Sequence, residues 1–180
     1  MEYQFYVAEL NESLATINIT EMNGAIELVR KRIKEGETIW VFGNGGSGAT
    51  ASHASCDLSK GVFNKLRQKS RVISLNDLQF SLSAWINDHG FEESVANMLN
   101  SLAKAQDVLV LISGSGDSAN LMPAIESARK IGMGVITMTG FEGGIIGTEG
   151  DYNIIVKSGD MQIIENAHMA LTHWIFKCIE

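Results

Sequence analysis

Apolar positions at the start of the chain recur at helical spacing: Tyr3, Tyr6, Val7, Leu10 and Leu14, then Met22, Ile26, Val29 and Ile33 after a break at residues 16–20. Asn18 and Thr20 lie in that break, and short polar side chains of this kind start helices by accepting from free N–H groups. The pattern predicts two amphipathic helices over residues 1–36, ahead of the first strand. The period then changes. Short apolar runs at 38–42, 71–75, 108–112, 135–139 and 152–156 lack polar alternation, which marks strands buried on both faces, as in a parallel sheet.

Helix-length segments separate these runs, at 47–60, 78–103 with a break near 88–90, 118–131 and 161–180. Such alternation predicts an α/β fold: a three-layer, doubly wound, mostly parallel five-stranded sheet of flavodoxin-like type, with the two leading helices added. No internal repeat or low-complexity linker divides the chain, so residues 1–180 are expected to form a single domain. The last helix is apolar on most sides, with Ile163, Ile164, Met169, Leu171, Trp174, Ile175, Phe176 and Ile179. A helix of that kind needs burial all round, in a core or against another copy.

Composition narrows the function. The chain has 180 residues, 45% hydrophobic and 19% charged, with a mean hydropathy of +0.06. That is enough for one domain with a core, and is neither disordered nor membrane-embedded. The apolar runs fall far below a membrane span, and Met1-Glu2-Tyr3-Gln4 lacks the basic and apolar regions of a signal peptide. A cytoplasmic protein without a membrane partner is expected. Cys56 and Cys178 show no CxxC spacing, so neither a disulfide framework nor a thiolate zinc site is suggested, and both are expected in the core. Fourteen basic against 21 acidic residues give a net charge of −7, which disfavours nucleic acid as a partner. The basic stretch at 60–71, with Lys60, Lys65, Arg67, Lys69 and Arg71, reads as a solvated loop. A small phosphorylated ligand remains compatible, because backbone N–H groups and hydroxyls bind phosphate without a basic surface.

The 18 glycines cluster where strands end. The first strand runs into Gly43-Asn44-Gly45-Gly46-Ser47-Gly48 and then a helix. Glycine permits close backbone approach there, and free N–H groups at a helix start favour an anion. Gly43, Gly45 and Gly48 also fit the dinucleotide fingerprint, but Asp77 lies late for the acidic partner, leaving an NAD-dependent enzyme as an alternative. The third strand ends in Ser113-Gly114-Ser115-Gly116-Asp117-Ser118-Ala119-Asn120. A capping turn needs one of those hydroxyls, and two such loops at separate strand ends point to an oxyanion or phosphate cradle. No P-loop motif occurs.

Ionisable residues accompany the loops. His53 and Asp57 are four apart on one helix face and suit a metal, acid–base chemistry or a surface hydrogen bond. Asn87-Asp88-His89-Gly90 is either a turn or a segment reaching into the same cleft. Glu165, His168 and His173 lie on the last helix among apolar neighbours, where buried polar groups need partners. Glu165 and His173 are separated by ~12 Å of rise. They meet one ion only through long side chains, a distorted helix or a neighbouring subunit. His168 also fits a satisfied core histidine.

In this order, the leading helices, Phe42 to Ser47, His53 to Asp57, Asn87-Asp88, Ser113 to Ser118, Gly132 to Gly140 and the closing helix, the chain resembles the SIS (sugar isomerase) domain family, and within it the phosphoheptose isomerases. The resemblance implies a homotetramer with active sites at subunit interfaces, the N-terminal helices over residues 1–36 contributing oligomer contacts. It implies sugar-phosphate contacts from Asn44, Gly45, Gly46, Ser47, Asn87, Asp88, Ser113, Gly114, Ser115, Ser118 and Glu165. It also implies a Zn²⁺ site at His53, Asp57, Glu165 and His173, with Asp57 and His173 as the catalytic acid–base pair. The expected activity is aldose–ketose isomerisation of a sugar phosphate, sedoheptulose 7-phosphate to D-glycero-D-manno-heptose 7-phosphate, through an enediol. The alternative is a non-catalytic SIS tetramer that binds a phosphosugar or a protein, like the replication-initiator-associated relatives. Three positions depart from the isomerase pattern: Asp57 stands for Glu, Glu165 for Gln and Gly114 for Thr. The segment from Asp57 to Gly61 differs as well.

Overall fold

The computed structural model describes residues 2–179; position 1 and position 180, the expected end of the last helix, lie outside them. Helices α1 (Tyr3–Ala15) and α2 (Ile19–Glu35) come first. Asn18 caps α2 as its sequence suggests, accepting from the N–H groups of Thr20 at 3.0 Å and Glu21 at 3.4 Å. The remaining elements are β1 (Thr38–Gly43), α3 (Gly45–Leu66), β2 (Arg71–Ser74), a 3₁₀ turn at Leu75–Asp77, α4 (Gln79–His89), α5 (Phe91–Leu102), β3 (Val108–Ser113), α6 (Leu121–Ile131), β4 (Gly134–Gly140), β5 (Tyr152–Val156) and α7 (Met161–Ile179).

Among the described residues the sheet has five strands in the order β2-β1-β3-β4-β5, and every pairing is parallel rather than mostly so. Alternate residues of each strand feed two cores, as a period of two requires. Ile39, Val41, Val108, Val110 and Ile112 pack with α2, α3 and α7 on one face. Trp40, Phe42, Leu109 and Leu111 pack with α5 and α6 on the other. The helix after β1 therefore crosses to one face and the helix after β3 to the opposite face, which opens a crevice between the two carboxyl ends. Asp107 secures the far end of β1, accepting from Thr38 N at 2.9 Å and Trp40 Nε1 at 3.0 Å, so its buried carboxylate is compensated.

Three expectations change, and one open alternative is decided. Helix α3 runs on through Leu66, so the basic stretch is helical over much of its length. Val62 is fully buried and Gly61 sits under the Phe176 ring, so packing against α7 extends the helix past the charged residues. Cys56 is exposed on the outer side of α3 and Cys178 is half-buried, so neither is a true core residue. Helix α6 starts at Leu121, three residues later than its pattern suggests, because the chain turns at Ser118, whose carbonyl accepts from Leu121 N at 3.0 Å. Helix α7 buries Ile163, Ile164, Leu171, Ile175 and Ile179 within the single chain. The exposed apolar side chains lie elsewhere, chiefly Tyr3 and Phe5 on α1 and Phe80 on α4, at 80%, 67% and 83% exposure.

Candidate active site

The first loop is held from behind. Asn76 bonds the backbone of Gly43 in both directions, accepting from its N–H at 3.2 Å and donating to its carbonyl at 2.8 Å. The chain then turns through Gly45, whose φ of +54° suits glycine, into the first turn of α3. The N-cap residue Asn44 makes no capping bond with its side chain, so the N–H groups of that turn face outward unsatisfied by it.

The second loop is a hydrogen-bonded turn. Ser113 Oγ accepts from Gly116 N at 3.0 Å and Ser115 Oγ accepts from Asp117 N at 3.2 Å. Each hydroxyl keeps its own proton to donate, so turn formation and anion binding use different valences of the same oxygen. Gly116, at φ +74°, lies against Gly143, and Ile145 N donates to Asp117 at 2.9 Å, so the segment after β4 buttresses the loop.

Between the loops lies an open cleft of ≈ 280 Å³. Asn44, Gly45, Gly46 and Ser47 line one wall, and Ser113, Gly114, Ser115 and Ser118 the other; Met161 and Glu165 of α7 close it. Among the described residues no basic side chain lines this cleft and Glu165 is its one carboxylate, so an oxyanion placed here would have to rely on N–H groups, hydroxyls and the helix dipole.

Helices α3 and α7 run side by side in the same direction. Glu165 lies over Gly46 at their N-terminal ends, and His173 meets His53 and Asp57 about two turns further along. His53 Nε2 is 3.3 Å and His173 Nε2 3.5 Å from Asp57 Oδ2, with 3.0 Å between the two imidazole nitrogens. These three atoms lie within 4.8 Å of one another. Ligands at 2.0–2.2 Å around a tetrahedral zinc ion are about 3.3 Å apart, so the triangle has the dimensions of such a site. Two imidazoles and a carboxylate converging on one point are also a residue set suited to a divalent cation.

The structure does not bring every expected residue to this place. Glu165 belongs to the cleft wall and not to the His53–Asp57–His173 cluster, as the separation along α7 requires. Asn87 and Asp88 do not reach the cleft of their own chain. They are exposed near the end of α4, a helix with no buried residue, and Asn87 donates to Asp88 at 2.8 Å. His168 is fully buried beneath the site, with Nε2 at 3.1 Å from the Thr139 carbonyl. Burial lowers its pKa to about 4, while the bond to Thr139 opposes that shift. Its Nδ1 has no hydrogen-bond partner among the described residues, so only one ring nitrogen is satisfied there.

The sequence of residues 2–140 matches the SIS domain. The phosphoheptose isomerase of Campylobacter concisus is 35% identical over 156 residues, covering 87% of this chain and 82% of that one. The phosphoheptose isomerase of Helicobacter pylori is 31% identical over 179 residues, covering 99% and 92%. The chain belongs to the SIS domain family, in its phosphoheptose isomerase branch. The structure of phosphoheptose isomerase from Neisseria gonorrhoeae superposes with a TM-score of 0.86 at 28% identity, covering 98% of this chain and 94% of that chain.

One departure of this SIS domain has a local cause. At position 114 a Cβ would collide with the Met161 thioether, so Met161 fills the space a threonine side chain would take. Met161 was not evident as a site residue in the sequence, because it reads as the first apolar position of a helix. Asn76 and Asn120 were missed for a similar reason. Asn76 follows the end of β2 and Asn120 precedes α6, places where asparagine reads as turn or cap chemistry.

Proposed function

We propose that this SIS domain is an aldose–ketose isomerase that converts sedoheptulose 7-phosphate to D-glycero-D-manno-heptose 7-phosphate through an enediol. The observation that carries the reading is the placing of two unlike sites on one helix pair. An oxyanion cleft lies at the N-terminal ends of α3 and α7, and an acid–base and metal cluster lies about two turns along them. An open-chain ketose phosphate has the same polarity, with phosphate at one end and the reacting carbons at the other. The names of the relatives agree with that substrate.

The cleft binds the phosphate through the Ser113, Ser115 and Ser118 hydroxyls and the N–H groups at the start of α3, fixing the open chain. Asp57 and His173 form the acid–base pair. One removes a proton from C1 while the other donates one to the C2 oxygen, giving the enediol. The O1 proton then leaves as C2 is protonated, giving the aldose. His53, Asp57 and His173 would hold Zn²⁺, which supplies Lewis-acid polarisation of the carbonyl when bound. The shorter Asp57 carboxylate sets its oxygen about one C–C bond back from the position of a glutamate, near the ~1 Å at which catalysis becomes sensitive.

The functional form in this reading is a homotetramer of single domains spanning 1–180, with α1 and α4 at its contacts. Their exposed Tyr3, Phe5 and Phe80 support that, and Asn87 and Asp88 then reach the cleft of a neighbouring copy. A charged sugar phosphate is retained inside the cell, which carries a cytoplasmic location. The test is NMR observation of the purified protein with Zn²⁺ and sedoheptulose 7-phosphate. Appearance of the aldose phosphate, abolished by a chelator, is expected. A folded tetramer that gives no conversion overturns the assignment in favour of a binding role.

A further inference from the structure

Asn44 and Asn120 stand immediately before α3 and α6, the helices that follow β1 and β3. Asparagine is among the strongest N-cap residues because its Oδ1 accepts from the helix's own N–H groups. Asn18 does this at the start of α2, but neither Asn44 nor Asn120 does. Instead the two side chains bond each other twice: Asn44 Nδ2 donates to Asn120 Oδ1 at 3.0 Å, and Asn120 Nδ2 donates to Asn44 Oδ1 at 3.2 Å. Asn120 is completely buried and its backbone is helical, at φ −83° and ψ −3°, rather than extended as a capping residue requires. A packing role alone would be met by an apolar side chain. A buried carboxamide needs partners, and the bonds seen here run across the crevice to the other loop.

We propose that Asn120 is a positioning residue of this site: through its paired bonds to Asn44 it fixes the spacing of the two loops and leaves the α3 N-terminus uncapped for the substrate's oxyanions. The pair joins elements 76 residues apart in sequence, at the point where α3 and α6 diverge to opposite faces of the sheet. With Asn76 holding Gly43 from the other side, the first loop is pinned at both its backbone and its side chain. A fixed cradle binds an anion without the entropy of ordering two loops first. The inference rests on the cleft being the phosphate site of the isomerase.

The experiment is a cycle of Asn44→Ala, Asn120→Ala and the double variant in the full-length protein. Hydrogen exchange of the unliganded protein is read on peptides spanning 43–48 and 113–120, and kcat and KM are read with sedoheptulose 7-phosphate. Each single variant is expected to speed exchange about tenfold in the loop it does not belong to, and to raise KM about tenfold with kcat within about threefold. The double variant is expected to be no worse than either single one, since both remove the same connection. Unchanged exchange in the opposite loop, or KM effects that multiply, overturns the proposal. If Asn120→Ala does not fold, Asn44→Ala tests the same bond from its half-buried side through the 113–120 peptide. Absence of turnover in the wild type would defeat the substrate reading, while the exchange data would still decide the role of Asn120.

Discussion

The Glu165 carboxylate lies directly over the α-carbon of Gly46, so one methyl group at position 46 would overlap it. Helix propensity alone favours Gly46→Ala by up to about 1 kcal/mol, whereas the collision forces the Glu165 carboxylate off its place on the cleft wall. The substitution is expected to raise KM for the sugar phosphate at least tenfold while the melting temperature stays within a few degrees. Adding Glu165→Ala should recover most of the loss. Unchanged KM in Gly46→Ala would show that the cleft wall has room to adjust.

Asp57 and His173 are assigned the proton transfers, which contribute typically 10²–10⁴-fold. Asp57→Asn and His173→Gln are each expected to lower kcat at least a hundredfold, with the fold retained because both side chains are partly exposed. Turnover within threefold of wild type in both variants would remove them from the mechanism.

Met161 occupies the room beside Gly114. Gly114→Thr alone is expected to destabilise the protein by about 1–3 kcal/mol through overpacking and to raise KM. Met161→Ala in the same chain should restore both stability and KM toward wild type. If the double variant is as impaired as the single one, the two positions do not compensate for each other.

His168 gives stability a defined pH dependence. Its pKa falls from 6.5 in a free side chain to about 4 in the folded protein, so between those values the unfolded chain binds a proton that the native state does not. Stability is therefore full above pH 6.5 and declines as pH drops toward 4, by roughly 3 kcal/mol at most. Urea midpoints measured with chelator present, which removes the metal contribution of His53 and His173, should fall from pH 7 to pH 5. His168→Gln should flatten that slope, and an equal slope in the variant would sink the assignment.

The period of the apolar residues fixed the strands and most helices, because burial on two faces or one leaves a mark in every few residues. Glycine and serine at two strand ends marked both walls of the cleft, since backbone approach and hydroxyl donors need those residue types locally. What the pattern misplaced lay where distant contacts decide: α3 continues through Lys60 and Lys65 because Val62 and Gly61 pack against α7. The same limit hid Asn120, whose residue type reads as a cap and whose partner is 76 residues away.

The sequence by itself therefore determined the α/β alternation, the two loops and the chemistry available to them. Only the tertiary structure decided which side chains meet. It set His173 beside His53 and Asp57, kept Glu165 at the cleft and left Asn87 and Asp88 outside it. The reason is physical: residue type and spacing fix what a group can do within a turn or two of chain, while the meeting of α3 with α7 depends on how both helices pack on the sheet.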